Sequence, residues 1–189
     1  MKLFLVCITF VLGIATPVFA DVKQCQALYT AGPKSLGGLA LKSGKNYEKS
    51  NRGGGYALQY GTLGKTWATL FFFDMQRKKI REKHLVDELG RATRAAIEAR
   101  LVMLANKGIT EAGQETPMEI GGEGTFPGVL YMESKLFLEP KGHPVTNDYV
   151  TVGVVNNCIV KLRFSSQGNR KASNRKFEKM KRELRKAVK

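Results

Sequence analysis

The stretch Thr66–Met75, TWATLFFFDM, is apolar on both of its alternating faces. Trp67, Phe71, Phe73 and Met75 fall on one face, and Ala68, Leu70 and Phe72 on the other. A strand of this kind is expected inside a sheet that is covered on both sides. The residues before it support a partner strand. Tyr56, Leu58 and Tyr60 alternate with Ala57 and Gln59, and Gly61–Lys65 supplies turn residues. Upstream, residues 21–54 show little periodicity; Gly32-Pro33, Gly37-Gly38 and Gly53-Gly54-Gly55 mark a loop-rich segment with one short strand near Leu39–Leu41.

Downstream, Leu85, Leu89, Ala92, Ala96, Ala99 and Met103 recur at spacings of three and four, which predicts a helix over 81–107 stopped by Gly108. Lys83, Arg91, Arg94 and Glu98 lie off that stripe. A strand near 115–120, a turn at Gly121, Gly122 and Gly124, and a strand over 128–138 follow. In the last of these, Leu130, Met132, Leu136 and Leu138 share one face, with Glu133 and Lys135 on the other.

Tyr149–Val155 and Cys158–Phe164 read as a hairpin closed by Asn156-Asn157. Asparagine tolerates the positive φ that a type I′ turn requires at both positions. The turn sets the register: Val155 opposite Cys158, Gly153 opposite Val160, Thr151 opposite Leu162 and Tyr149 opposite Phe164 on a largely apolar face. Val154 with Ile159, Val152 with Lys161 and Val150 with Arg163 form the opposite face. A closing helix is expected over about 174–188, capped by Ser173 or Asn174, with Phe177, Met180, Leu184 and Ala187 or Val188 as its apolar stripe.

The first twenty residues read as a secretory signal peptide. Lys2 precedes an apolar run from Leu3 to Ile14, and Val18-Phe19-Ala20 ends the segment with small residues where a signal peptidase cleaves. The expected mature chain, 21–189, is one α+β domain of 169 residues exported to a periplasm or beyond. Loss of Cys7 leaves Cys25 and Cys158, which in an oxidising compartment pair most simply as one disulfide; two buried thiols are the rival. Neither lies at the end of an apolar run, so no lipid anchor is expected.

The formal charge is +15, or +14 without Lys2. Such an imbalance favours an acidic protein or an envelope polyanion, while export demotes nucleic acid. Ten lysines and arginines lie between Arg170 and Lys189 against Glu178 and Glu183. The closing helix therefore has two readings: docked on the sheet with its cations in water, or laid on a membrane surface or polyanion. Lys179, Arg182 and Lys186 are its candidate contacts. Lys161 and Arg163 either extend that patch or lie against a helix packed on their face.

Catalytic and cofactor motifs are absent. Gly61-Thr62-Leu63-Gly64-Lys65-Thr66 has Gln59 where a phosphate loop needs its first glycine, and it leads into a strand. Gly53–Gly55 lacks the later glycine and helix of a dinucleotide fingerprint. His84 and His143 have no second ligand at metal-binding spacing, and no G-x-S-x-G elbow exists. No catalytic residue, metal or cofactor is expected. An enzyme site built from dispersed carboxylates or lysines would leave no local signature.

The order of elements resembles the PsbP-like superfamily. The resemblance rests on the strand pair YALQYG and TWATLFFFD, the central helix, two antiparallel strands, NNCIVKLRF and the closing helix RKFEKMKRELRKAV. The chain is also similar to small uncharacterised bacterial exported proteins with a Gly-rich turn before W-A-T and an aromatic run. The resemblance covers Tyr56 to Val188. It implies an antiparallel sheet between helices, an α/β/α sandwich, and a binding or accessory role. No site residues carry over.

Overall fold

The computed structural model describes residues 22–63, 65–108, 112–115, 118–121, 131–140 and 145–188. The expected leader (1–20), the Gly122–Gly124 turn and His143 lie outside the described residues. So do Leu130 and the side chains of the 131–140 strand other than Lys135.

The fold is α+β. In chain order it comprises α1 (Val22–Thr30), β1 (Ser35–Leu36), β2 (Leu39–Asn46), β3 (Tyr56–Thr62), β4 (Thr66–Phe73), α2 (Glu82–Ala105), β5 (Ala112–Glu115), β6 (Met118–Gly121), β7 (Tyr131–Pro140), β8 (Thr146–Val155), β9 (Cys158–Gln167) and α3 (Arg170–Ala187). The strands pair antiparallel in the order β1-β2-β3-β4-β9-β8-β7-β5, with β6 also on β7. Two meanders, β1–β4 and β7–β9, are thus joined along the β4–β9 seam.

The β8–β9 register is the one expected, from Tyr149 opposite Phe164 to Val155 opposite Cys158. Asn156 and Asn157 hold φ of 49° and 58°. The Asn157 side chain also accepts from the Ile80 amide at 2.8 Å and donates to the Lys78 carbonyl at 3.1 Å. The turn therefore anchors the chain that enters α2.

Helices cover both faces, which makes the α/β/α sandwich. On one face, α1 and α3 pack over Leu58, Tyr60, Leu70, Phe72, Leu162 and Phe164. Phe177, Met180 and Leu184 are fully buried there. Phe177 stacks on Tyr149 at 4.7 Å, and Tyr149 on Phe164 at 5.6 Å. On the other face, α2 packs against β7 and β8, with Leu85 and Leu89 meeting Phe73, Val150, Val152 and Ile159.

Three expectations are corrected. Residues 21–54 are less irregular than their composition implies, because α1 and an eight-residue β2 lie within them. Cys25 bonds to Cys158, and Tyr29 stacks on Tyr56 at 5.0 Å. These tertiary contacts hold a helix that local propensity does not announce. Second, α3 starts earlier, capped by the Asn169 side chain accepting from the Ala172 amide. Ser173 is buried instead, bonded to Ser166 Oγ at 2.7 Å. Third, β4 is only partly covered on its second face, where Phe73 is buried against Leu85 and Leu89. Ala68, Leu70 and Phe72 are fully buried, but Trp67, Thr69 and Phe71 are half-exposed because α2 lies over β7 and β8 rather than over β4.

The disulfide joins Cys25 of α1 to Cys158 at the start of β9, with Cα atoms 5.4 Å apart and 133 residues between them in sequence. Among the described residues no helix is long and apolar enough to cross a membrane.

Candidate functional site

The residues singled out from sequence fall on opposite faces of the sheet. Lys161 and Arg163 lie on the α2 face; Lys179, Arg182 and Lys186 lie on the solvent side of α3. They do not form one patch.

On α3, Lys171, Arg175, Lys179, Arg182 and Lys186 are all exposed and follow one another at spacings of four, four, three and four. That spacing aligns them on one side of a helix, about 22 Å from end to end at 1.5 Å per residue. The opposite side carries Phe177, Met180 and Leu184 into the core. Both acids of the helix are engaged. Glu183 accepts from the Gly37 amide, fixing α3 to the β1–β2 turn, and lies 3.7 Å from Lys179 of the row; Glu178 pairs with the buried Lys181 at 2.9 Å.

On the other face, charges are paired between layers. Glu88 of α2 has a fully buried side chain. One of its carboxylate oxygens accepts from Lys161 Nζ at 2.7 Å, and the other is bonded by Arg91. A second pair lies about three turns along. Arg100 donates to both Asp148 oxygens, at 2.7 and 3.2 Å, and also to Ser165 Oγ. Arg163 lies between the two pairs with its guanidinium 5.2 Å from the Trp67 ring. Its buried Nε has no hydrogen-bond partner among the described residues. Burial lowers the pKa of Arg163, with Asp148 opposing the shift.

Lys161 also lies 4.5 Å from the Phe71 ring centroid and 5.3 Å from that of Phe73. Its pKa is lowered by burial, and Glu88 works against that. Beside it, where α2 leaves β4 uncovered, a cleft of about 410 Å³ opens. Phe71, Phe73 and Met75 line one part of it, Tyr47 and Asn51–Gly54 another, and Arg91 and Lys161 provide cations together with Arg52.

Sequence reasoning missed Glu88, Arg100 and Asp148. The available signal was a mismatch: Glu88 and Arg100 fall at helical spacing from Leu85 and Ala96, inside the apolar stripe. Ala99, counted in that stripe, is exposed, and Arg100 and Leu104 are buried in its stead. Charges within a buried stripe require opposite charges across from them. Lys161, on the mixed face of the hairpin, meets that need for Glu88. For Arg100 the partner is Asp148, next to Tyr149 at the start of the hairpin.

Compared with known proteins, the chain matches no family model, no curated sequence and no solved structure. Its functional reading rests on its own geometry.

Proposed function

We propose that the protein is an exported, non-enzymatic binding or accessory protein that engages an acidic partner through the outer face of α3. The observation that carries this reading is the five-cation row, displayed on a helix whose apolar side is locked into the core. A single-sign row on a fixed helix attracts a polyanion or an acidic protein surface without a folding cost on binding. The leader-like first twenty residues and the Cys25–Cys158 bond support an oxidising compartment. That compartment favours an acidic protein or an envelope polyanion over nucleic acid.

A membrane-surface role through the same helix is less well supported. In-plane insertion uses an apolar face, and here Phe177, Met180 and Leu184 are already buried against the sheet. Contact with anionic lipid would be electrostatic only.

The test is salt elution of the disulfide-bonded protein from immobilised heparin, a sulfated polyanion. Lys179→Gln/Arg182→Gln/Lys186→Gln is expected to elute at clearly lower salt, since each screened cation contributes to the salt dependence. Unchanged elution by the triple variant would overturn the assignment of the α3 face.

A further inference from the structure

We propose that the cleft beside Lys161 is a binding site for a small organic anion, a carboxylate or phosphate head on a compact aromatic or alkyl body. It is separate from the α3 face and lies on the other side of the sheet.

The cations define the head group. Lys161 and Arg91 line the cleft, and the carboxylate they share, Glu88, is not among its lining residues. Lys161 and Arg91 thus bring two positive charges against one buried acid, and Arg52 lines the cleft as well. An ammonium has three donors, and among the described residues Glu88 is the one hydrogen-bond partner of Lys161. The remaining donors lie beside the Phe71 and Phe73 rings.

The floor defines the body. Phe71 and Met75 are half-buried there, and Phe73, buried against α2, contributes the inner part of the floor, while the other face of the run is sealed. About 410 Å³ is near the lower end of the range for small-molecule sites. That volume suits one ring or a short chain and is too small for a polymer.

The wall is built to hold its shape. The Glu48 carboxylate accepts from the Gly53 and Gly55 amides at 2.9 and 2.6 Å. Gln76 Nε2 donates to the Arg52 carbonyl at 2.9 Å, and the Met75 amide to the Gly53 carbonyl at 3.2 Å. Met75 and Gln76 are consecutive non-glycine residues at φ 54° and 57°. Such backbone costs free energy and persists where its surroundings impose it. Because Glu48 takes the Gly53 and Gly55 amides, they do not form an anion-binding nest. Side-chain cations must hold the head group.

The experiment is a backbone ¹H–¹⁵N titration of the disulfide-bonded protein with phenyl phosphate, benzoate and neutral benzyl alcohol. Saturable shifts are expected at Asn51–Gly54, Phe71–Gln76, Arg91 and Lys161 with one or both anions, and the stronger anion identifies the head group. Benzyl alcohol should bind at least about tenfold more weakly, the loss expected for one charge-assisted hydrogen bond. Arg91→Gln, at a largely exposed site, should weaken binding. Lys161→Met/Glu88→Gln removes both members of the buried pair together and should abolish it. Lys179→Gln/Arg182→Gln/Lys186→Gln should bind like the parent, so failure of the α3 assignment and failure of this one are separable. Shifts confined to α3, equal binding of benzyl alcohol, absence of saturation, or full binding by the double variant would each overturn the proposal.

Discussion

Glu88→Gln tests the polar layer between α2 and the sheet most directly. The wild-type carboxylate is fully buried, and Lys161 is 16% exposed and 2.7 Å away. Glutamine keeps the shape and an acceptor oxygen but removes the charge that offsets the ammonium. Removing one partner of a buried pair costs about 3–5 kcal/mol, because the other charge is left uncompensated. The retained acceptor and the partial exposure of Lys161 place this case near 3 kcal/mol. For a chain of this size that is a fall in Tm of about 6–12 °C. Lys161→Met should cost less, since Arg91 still pairs with Glu88. The double variant should lie within about 1 kcal/mol of the parent, because an apolar side chain on this face meets Phe71 and Phe73. Urea denaturation of all four proteins gives the coupling energy, expected at about 2 kcal/mol or more. It should persist at high salt, since buried pairs are weakly screened. A Glu88→Gln cost below about 0.5 kcal/mol, or additive single costs, would refute the reasoning.

Three further outcomes are expected. Phe177→Ala removes a fully buried ring stacked on Tyr149 and should cost about 3–5 kcal/mol in denaturant titration; an unchanged midpoint would mean that α3 is not docked. Cys25→Ala/Cys158→Ala opens a cross-link spanning 133 residues and should cost about 5 kcal/mol in the chain-entropy treatment. A loss under about 1 kcal/mol would show that packing alone holds α1. His84 Nδ1 accepts from the Arg81 amide, and its pKa is lowered by burial, then by Arg77, Lys83 and Arg81, with Asp87 opposing. The unfolded chain therefore binds the proton more readily, so this contribution is present above about pH 6.5 and is lost as pH falls below it. Melting at pH 7.5 and 5.0 should show a smaller pH difference in His84→Gln than in the parent.

Local chemistry made the C-terminal half readable. Asn156-Asn157 dictates one hairpin register, and that register puts Cys158 on the core face where Cys25 reaches it. The α3 stripe is a strong 3.6-residue signal: Phe177, Met180, Leu184 and Val188 are buried as expected, joined by Ser173 and Lys181, which that stripe does not include. By contrast, α1 has no acid in its first turn and no base in its last, and it is held by a bond to a residue 133 positions away. No local pattern reports that. The cleft was hidden for a related reason. Both faces of β4 are apolar in sequence, but where α2 lies depends on its fit to β7 and β8. Part of one face of an apparently interior strand is thereby left half-buried, at Trp67, Thr69 and Phe71.

The β4–β9 seam also bears on how the chain is made. β4 pairs with β3 on one side and β9 on the other, yet Phe73 and Cys158 stand 85 residues apart. At synthesis rates of roughly 5–20 residues per second, β9 arrives several seconds after β4. Until then a β1–β4 meander would present an open edge bearing Ala68, Leu70 and Phe72, the kind of edge that recruits strands from other chains. Premature folding of the N-terminal half is therefore hazardous. Delivery of the nascent polypeptide in an unfolded, chaperoned state, with β9 available when β4 first finds a sheet, would avoid it.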